Sequence, residues 1–478
     1  MNTMLAKLKN YVINLHLGLD DLCLLVGFLF TLPFYVFIWQ FMTTINPDDI
    51  LFKPWMMIVC FSGMALSWGL YFFLEIKKGY VKNNVFTWLF LFFILMSVLS
   101  VVVEPSHSEI EVEARFVNDI SQQFYPGIKV GDIASVITDI SDTHRLLFAF
   151  TSVILTCDFY IVFFVLPKRV NTMFVFYFAA AVVLVLMLVL TFYSYIAEHD
   201  KYIPFLSSLF KGDVDGIYKN AMMSFSTHRV TYAKYLMGGV LFSLILQSRT
   251  NKWYWYLPAL YCYINMIFSW GKAAIAFTTI TIAIYLAYRL VATYNDHEKR
   301  NKILGTIYGG IILIALILVA MTLMTDGVVI PQLYQLLNSF SDNRTIQTRT
   351  YIWDNIIQRL NQGYWFIGRG LGIHNYLLYP MNLLNGDATA LSHSSYYTVL
   401  GAGGIVALLG YLGLHVYFGY AFWKCYKVNK FETIGLSIGF FGFFIYSFTE
   451  GVTFLLLPSM IPLIIYYNLL KREPIKNS

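Results

Sequence analysis

The chain has 478 residues, of which 58% are hydrophobic and 13% charged, with a formal net charge of +6 and a mean hydropathy of +0.62. A soluble domain carries about 25% charged residues, so a soluble globule is excluded, and positive charge scattered among short segments excludes a nucleic-acid-binding face. What remains is an all-α polytopic membrane protein, a single transmembrane domain over 1–478.

A spanning helix needs roughly 20 apolar residues to cross about 30 Å of hydrocarbon. In chain order the sequence predicts twelve, near 22–42, 54–74, 85–103, 146–166, 171–196, 230–247, 253–269, 273–291, 303–324, 396–420, 433–449 and 452–470. The first is long and lacks a small-residue cleavage site, so it is expected to stay as a helix rather than leave as a signal peptide. One apolar block divides at Ser269-Trp270-Gly271-Lys272 and another at Glu450-Gly451, where ionisable residues and glycine interrupt it.

With the N-terminus inside and the spans alternating, the inner segments hold 19 basic and 7 acidic residues, the outer ones 14 basic and 19 acidic. That bias is the positive-inside pattern and puts both termini in the cytoplasm. The soluble mass falls outside, in loops at 104–144, 197–229 and 325–395. The first opens on Glu104, Glu109, Glu111 and Glu113. Cys23, Cys60, Cys157, Cys262 and Cys425 all lie away from these loops at spacings that fit no metal site, so no external disulfide is expected.

The stretch 341–404 departs from its apolar surroundings. It carries Arg344, Arg349, Arg359 and Arg369, a turn spaced by Gly368, Gly370 and Gly372, and His393 just before an apolar run. Trp353, Ile356, Ile357 and Leu360 recur at helical spacing. They predict an amphipathic helix on the membrane surface, ended by Asn361-Gln362-Gly363.

Arginine grips phosphate oxygens with a planar fork, and histidine exchanges a proton near neutral pH. Arg229, Lys272, Arg344, Arg349, His393 and Glu450 all fall on the outer side and form the candidate site. Each also has a plain reading. The arginines could anchor lipid headgroups, Lys272 could snorkel, and Glu450 could cap the last hairpin. Arg359 and Arg369 read as structural. The glycine turn lacks the lysine-serine ending of a nucleotide loop. The pairs Asp48-Asp49 and Asp213-Asp215 read as solvated turns before metal ligands.

The late outer loop, with Arg349 followed four residues on by Trp353, then Phe366-Ile-Gly-Arg-Gly-Leu-Gly372, then His393 and the Leu400-Gly401-Ala402-Gly403-Gly404 run, resembles the O-antigen polymerase and O-antigen ligase superfamily of bacterial envelope glycosyltransferases. The resemblance is firmest over 341–415. It implies that His393, Arg344 or Arg349, and Arg229 are the essential groups, in a multi-pass protein of the bacterial cytoplasmic membrane. The family often has Ser-Arg where this chain has Gly271-Lys272, and asparagine where it has Ser394. The implied donor is an oligosaccharide on polyprenyl diphosphate. No metal or cofactor is implied. The implied partners are the bilayer, a chain-length regulator and a flippase.

The departures favour a polymerase of O-antigen, capsular or exopolysaccharide repeat units over a ligase that moves glycan to a lipid core. Two rivals stand outside the resemblance. A flippase or transporter also has twelve spans with both ends inside. A glycosyltransferase fed by polyprenyl monophosphate would use carboxylates such as Asp48 and Asp49.

Overall fold

The computed structural model describes residues 18–27, 29–30, 54–77, 107–142, 172–224, 229–250, 252–324, 343–370, 373–386 and 392–428, with isolated residues at 95, 99, 102 and 145. The expected spans at 85–103, 146–166, 433–449 and 452–470, and most of 22–42, lie outside these residues, as do Asp48, Asp49 and Glu450. The chain divides into two compact units. One contains residues 1–180, 352–413 and 451–457; the other contains 181–351, 414–450 and 458–478.

The described residues are mostly helical. Among the described residues, three helices are long and apolar enough to cross a membrane, over Ile58–Glu75, Lys272–Val291 and Ser395–Gly413. They belong to α1 (Pro54–Lys77), α8 (Lys272–Ala292) and α12 (Ser395–Val428). Helices also cover the expected spans at 171–196, 230–247 and 303–324, as α3 (Thr172–Ala197), α6 (Arg229–Thr250) and α9 (His297–Met324).

In the second unit, the apolar block breaks where lysine and glycine interrupt it. A 3-10 turn at Trp253–Trp255 leads into α7 (Tyr256–Ser269), which stops at Trp270, and α8 starts at Lys272. The span expected at 253–269 therefore contains an α-helix of only 14 residues, about 21 Å long at 1.5 Å per residue. The chain turns at Trp270, which is left-handed at φ 50°, and Gly271 lets it pass close to α6. A Cβ there would lie 2.4 Å from the Ala233 Cβ, so any side chain would push the hairpin off α6. Two short helices, α4 (Tyr202–Lys211) and α5 (Val214–Asn220), follow α3. They pack Phe205, Ile217 and Ala221 against Trp270.

The first unit corrects the all-α expectation. Residues His107–Glu113 form β1, paired antiparallel with β2 (Ile133–Asp139) from Ser108↔Thr138 through Ile110↔Val136 to Val112↔Ala134. Glu109, Glu111 and Glu113, read from sequence as part of an acidic loop, occupy the exposed face of β1, and Ser108, Ile110 and Val112 point inward. A short helix, α2 (Asp119–Phe124), lies between the strands; Asn118 and Ser121 close its first turn as a reciprocal cap.

The inward face of this hairpin meets α10 (Asn343–Leu360) and α11 (Ile373–Leu384). Val112, Ala114, Ile128 and Val136 join Ile352, Ile356, Leu360, Leu378, Met381 and Leu384 in one apolar core. The apolar stripe of α10 is thus packed into a small α/β module, not laid on the membrane surface. The reason is a competing apolar face: the period-two pattern of β1 and β2 gives the helix a protein partner.

Arg359 crosses this core. It is 3% exposed. It donates to Ser108 Oγ at 2.8 Å, to Thr138 Oγ1 at 3.4 Å and to the Leu377 carbonyl at 3.3 Å. One guanidinium fork therefore joins both strands to α11, a structural role.

The glycine turn after α10 is structural as well. The Arg369 and Gly370 amides donate to the Gly401 and Ala402 carbonyls, both at 2.8 Å, and the Ile405 amide donates to the Trp365 carbonyl at 2.7 Å. Backbone lies on backbone. A Cβ on Gly404 would sit 2.3 Å from the Phe366 carbonyl carbon. Gly404 has φ 66° and ψ −167°, so α12 kinks there. Arg369, 1% exposed, sets its guanidinium 4.3 Å from the Tyr364 ring centre and donates to Gln362 Oε1 at 2.7 Å.

Candidate functional site

Among the predicted residues that the structure describes, Arg229, Lys272, Arg344 and Arg349 belong to the second unit and His393 to the first. In the second unit, Arg229 opens α6 and Lys272 opens α8. Residues 43 positions apart in sequence meet at one ring: the Arg229 guanidinium lies 3.9 Å and the Lys272 Nζ 5.2 Å from the centre of Tyr218, on α5. The two distances together bound the separation of the charges. Both are half-buried, so their attraction for an anion is screened less than in open water.

Glu198 holds the segment that leads to Arg229. Its carboxylate accepts from Ser194 Oγ at 2.8 Å, Lys201 Nζ at 3.1 Å and the backbone amides of Met223 and Ser224 at 3.1 and 2.9 Å. Ser224, at φ 55°, also donates its hydroxyl to the Leu190 carbonyl at 2.6 Å. Neither Glu198 nor Tyr218 was recognised from sequence. Glu198 looked like one of many loop carboxylates, and a tyrosine among 35 carries no signal by type.

In the first unit, His393 stands two residues before α12 in the left-handed region, at φ 49°. Its neighbours Ser392 and Ser394 are fully buried, and His393 itself is half-buried. Ser392 Oγ donates to the Ser394 carbonyl at 2.7 Å. Its single proton is then spent, so the 2.5 Å contact to Thr398 Oγ1 has Thr398 as donor. The Ser392 carbonyl accepts the Trp353 indole N–H at 2.7 Å. The Trp353 ring stacks on Tyr397, centres 4.6 Å apart and planes within 7°. Among these, the sequence drew attention to His393, to Ser394 where the resembled family often has asparagine, and to Trp353 for its spacing from Arg349.

Arg349 is half-buried on α10, and Arg344 lies on the same helix with its side chain outside the described residues. Asp213 has a local task, since its side chain accepts from the Gly216 amide at 3.0 Å and caps α5. Among the described residues, no three His, Cys, Asp or Glu side chains group as metal ligands.

A second histidine, His374, contrasts with His393. It is 4% exposed, its Nδ1 donates to the Gly370 carbonyl at 3.3 Å, and burial lowers its pKa to about 4. It is therefore neutral at pH 7 and reads as a packed core residue. No protein-family model, curated protein or solved structure matches this chain.

Proposed function

We propose that this protein is a membrane glycosyltransferase that polymerises oligosaccharide repeat units carried on polyprenyl diphosphate, at the external face of the bacterial cytoplasmic membrane. In this reading both termini are cytoplasmic, and the twelve spans follow from the charge bias of the loops. The observation that carries the proposal is a cation pair of the kind that holds a diphosphate. A half-buried cation pair, Arg229 and Lys272, shares one aromatic ring. A half-buried histidine is held on a rigid turn at a helix start.

The reaction balances without a cofactor. A hydroxyl oxygen of the acceptor sugar attacks the anomeric carbon of the donor, and the bond from that carbon to the diphosphate oxygen breaks. The diphosphate leaves with the electron pair. Arg229 and Lys272, with Arg344 and Arg349, stabilise that developing charge. His393 takes the hydroxyl proton. Glu450 keeps its sequence-based place beside the diphosphate ligands.

Purified protein in lipid vesicles, supplied with polyprenyl-diphosphate-linked repeat units and a chelator, should lengthen the glycan and release polyprenyl diphosphate. Arg229→Lys should cost tenfold or more in rate, on the order of 1.4 kcal/mol or above, because the planar fork is lost. Transfer that needs a lipid-core acceptor would instead identify a ligase. Movement of the intact substrate across the vesicle without lengthening would identify a flippase.

A further inference from the structure

The turn that carries His393 is over-determined for a surface loop. Ser392 uses its carbonyl, its hydroxyl proton and its hydroxyl lone pairs within protein: the carbonyl toward Trp353, the proton toward Ser394, the oxygen toward Thr398 and the Ser394 amide. The residue fixed between these bonds adopts φ 49° with a Cβ. A left-handed residue other than glycine is strained, and such strain persists where surrounding bonds impose it. Tyr397, which packs against the apolar core of the module, carries the Trp353 ring flat on its own. The core therefore holds Tyr397, Tyr397 holds Trp353, and Trp353 holds the carbonyl next to His393.

We propose that Trp353 is a positioning residue for the reaction: its indole N–H fixes the Ser392 carbonyl and thereby aims the His393 imidazole. This rests on the reading of His393 as the base. A base displaced by about 1 Å loses up to 100-fold in rate, so one distant hydrogen bond can govern the chemical step while leaving substrate binding alone.

Trp353→Phe tests the idea, since phenylalanine keeps a ring against Tyr397 and deletes the N–H. In the vesicle assay it should lower kcat about 10- to 100-fold, with KM for the lipid-linked donor within about twofold of wild type. Introduced into His393→Gln, it should change the residual rate less than twofold, because positioning matters only if the base is there. A melting temperature within a few degrees of wild type separates this from loss of fold, and Ser392→Ala, which loosens the same turn from its hydroxyl side, should repeat the kcat effect. Wild-type kcat in Trp353→Phe, or an equal loss with and without His393, would overturn the positioning role. Full activity of His393→Gln would instead overturn the base itself, whatever Trp353 does.

Discussion

Two histidines in the same unit show how surroundings assign roles to one side chain. His374 is enclosed and its pKa falls to about 4 because the protonated ring would lose its hydration. The unfolded chain, at the ordinary value of 6.5, binds that proton more readily. Stability from His374 is therefore complete above about pH 6.5, declines as pH falls toward 4, and levels off below, a loss on the order of 3 kcal/mol. Amide exchange at Ile356, Leu360 and Leu378, corrected for intrinsic rates, should show protection falling between pH 7 and pH 5, and His374→Gln should flatten that dependence. Equal protection at both values in the wild-type protein would contradict it. His393 was legible in the sequence because a lone histidine stands where a polar loop meets an apolar run. His374 was not, since it sits in an apolar helix where burial depends on distant partners.

Elements reveal a different boundary between the legible and the hidden. The α7–α8 break was readable from Trp270-Gly271-Lys272, because local chemistry ends one helix and starts the next. The β-hairpin was missed although Glu109, Ile110, Glu111, Val112 and Glu113 alternate with the strand period. The charge of those glutamates outweighed their spacing. Without the hairpin, the apolar side of α10 has no protein partner legible in the sequence, and lipid is the partner that remains. The glycines of the late loop likewise had no meaning alone: the Phe366–Gly370 turn and the Gly401–Gly404 run are two halves of one backbone contact. Gly404→Ala should break it, because the added Cβ meets Phe366 and alanine resists φ 66°. A loss of about 1–3 kcal/mol should appear as a lowered melting temperature. Gly413→Ala, where a Cβ meets nothing within 4 Å, should stay near wild type. Equal melting of the two variants would contradict the clasp.

At the scale of the molecule, composition and loop charge carry the membrane assignment, and the described helices at Ile58–Glu75, Lys272–Val291 and Ser395–Gly413 agree with it. Function rests on fewer residues. Arg229 and Lys272 meet at the Tyr218 ring, and His393 stands on the turn before α12. The proposed reaction assigns them to the leaving group and the acceptor respectively, and the acceptor side is the more exposed to test. The most direct measurement is chain extension by His393→Gln protein inserted at wild-type levels, read as a glycan ladder. Glutamine keeps a hydrogen-bonding side chain but cannot take the proton. A loss of roughly 10²–10⁴-fold in rate, leaving single repeat units on the lipid, is the predicted result; full-length polymer from the glutamine variant would contradict it.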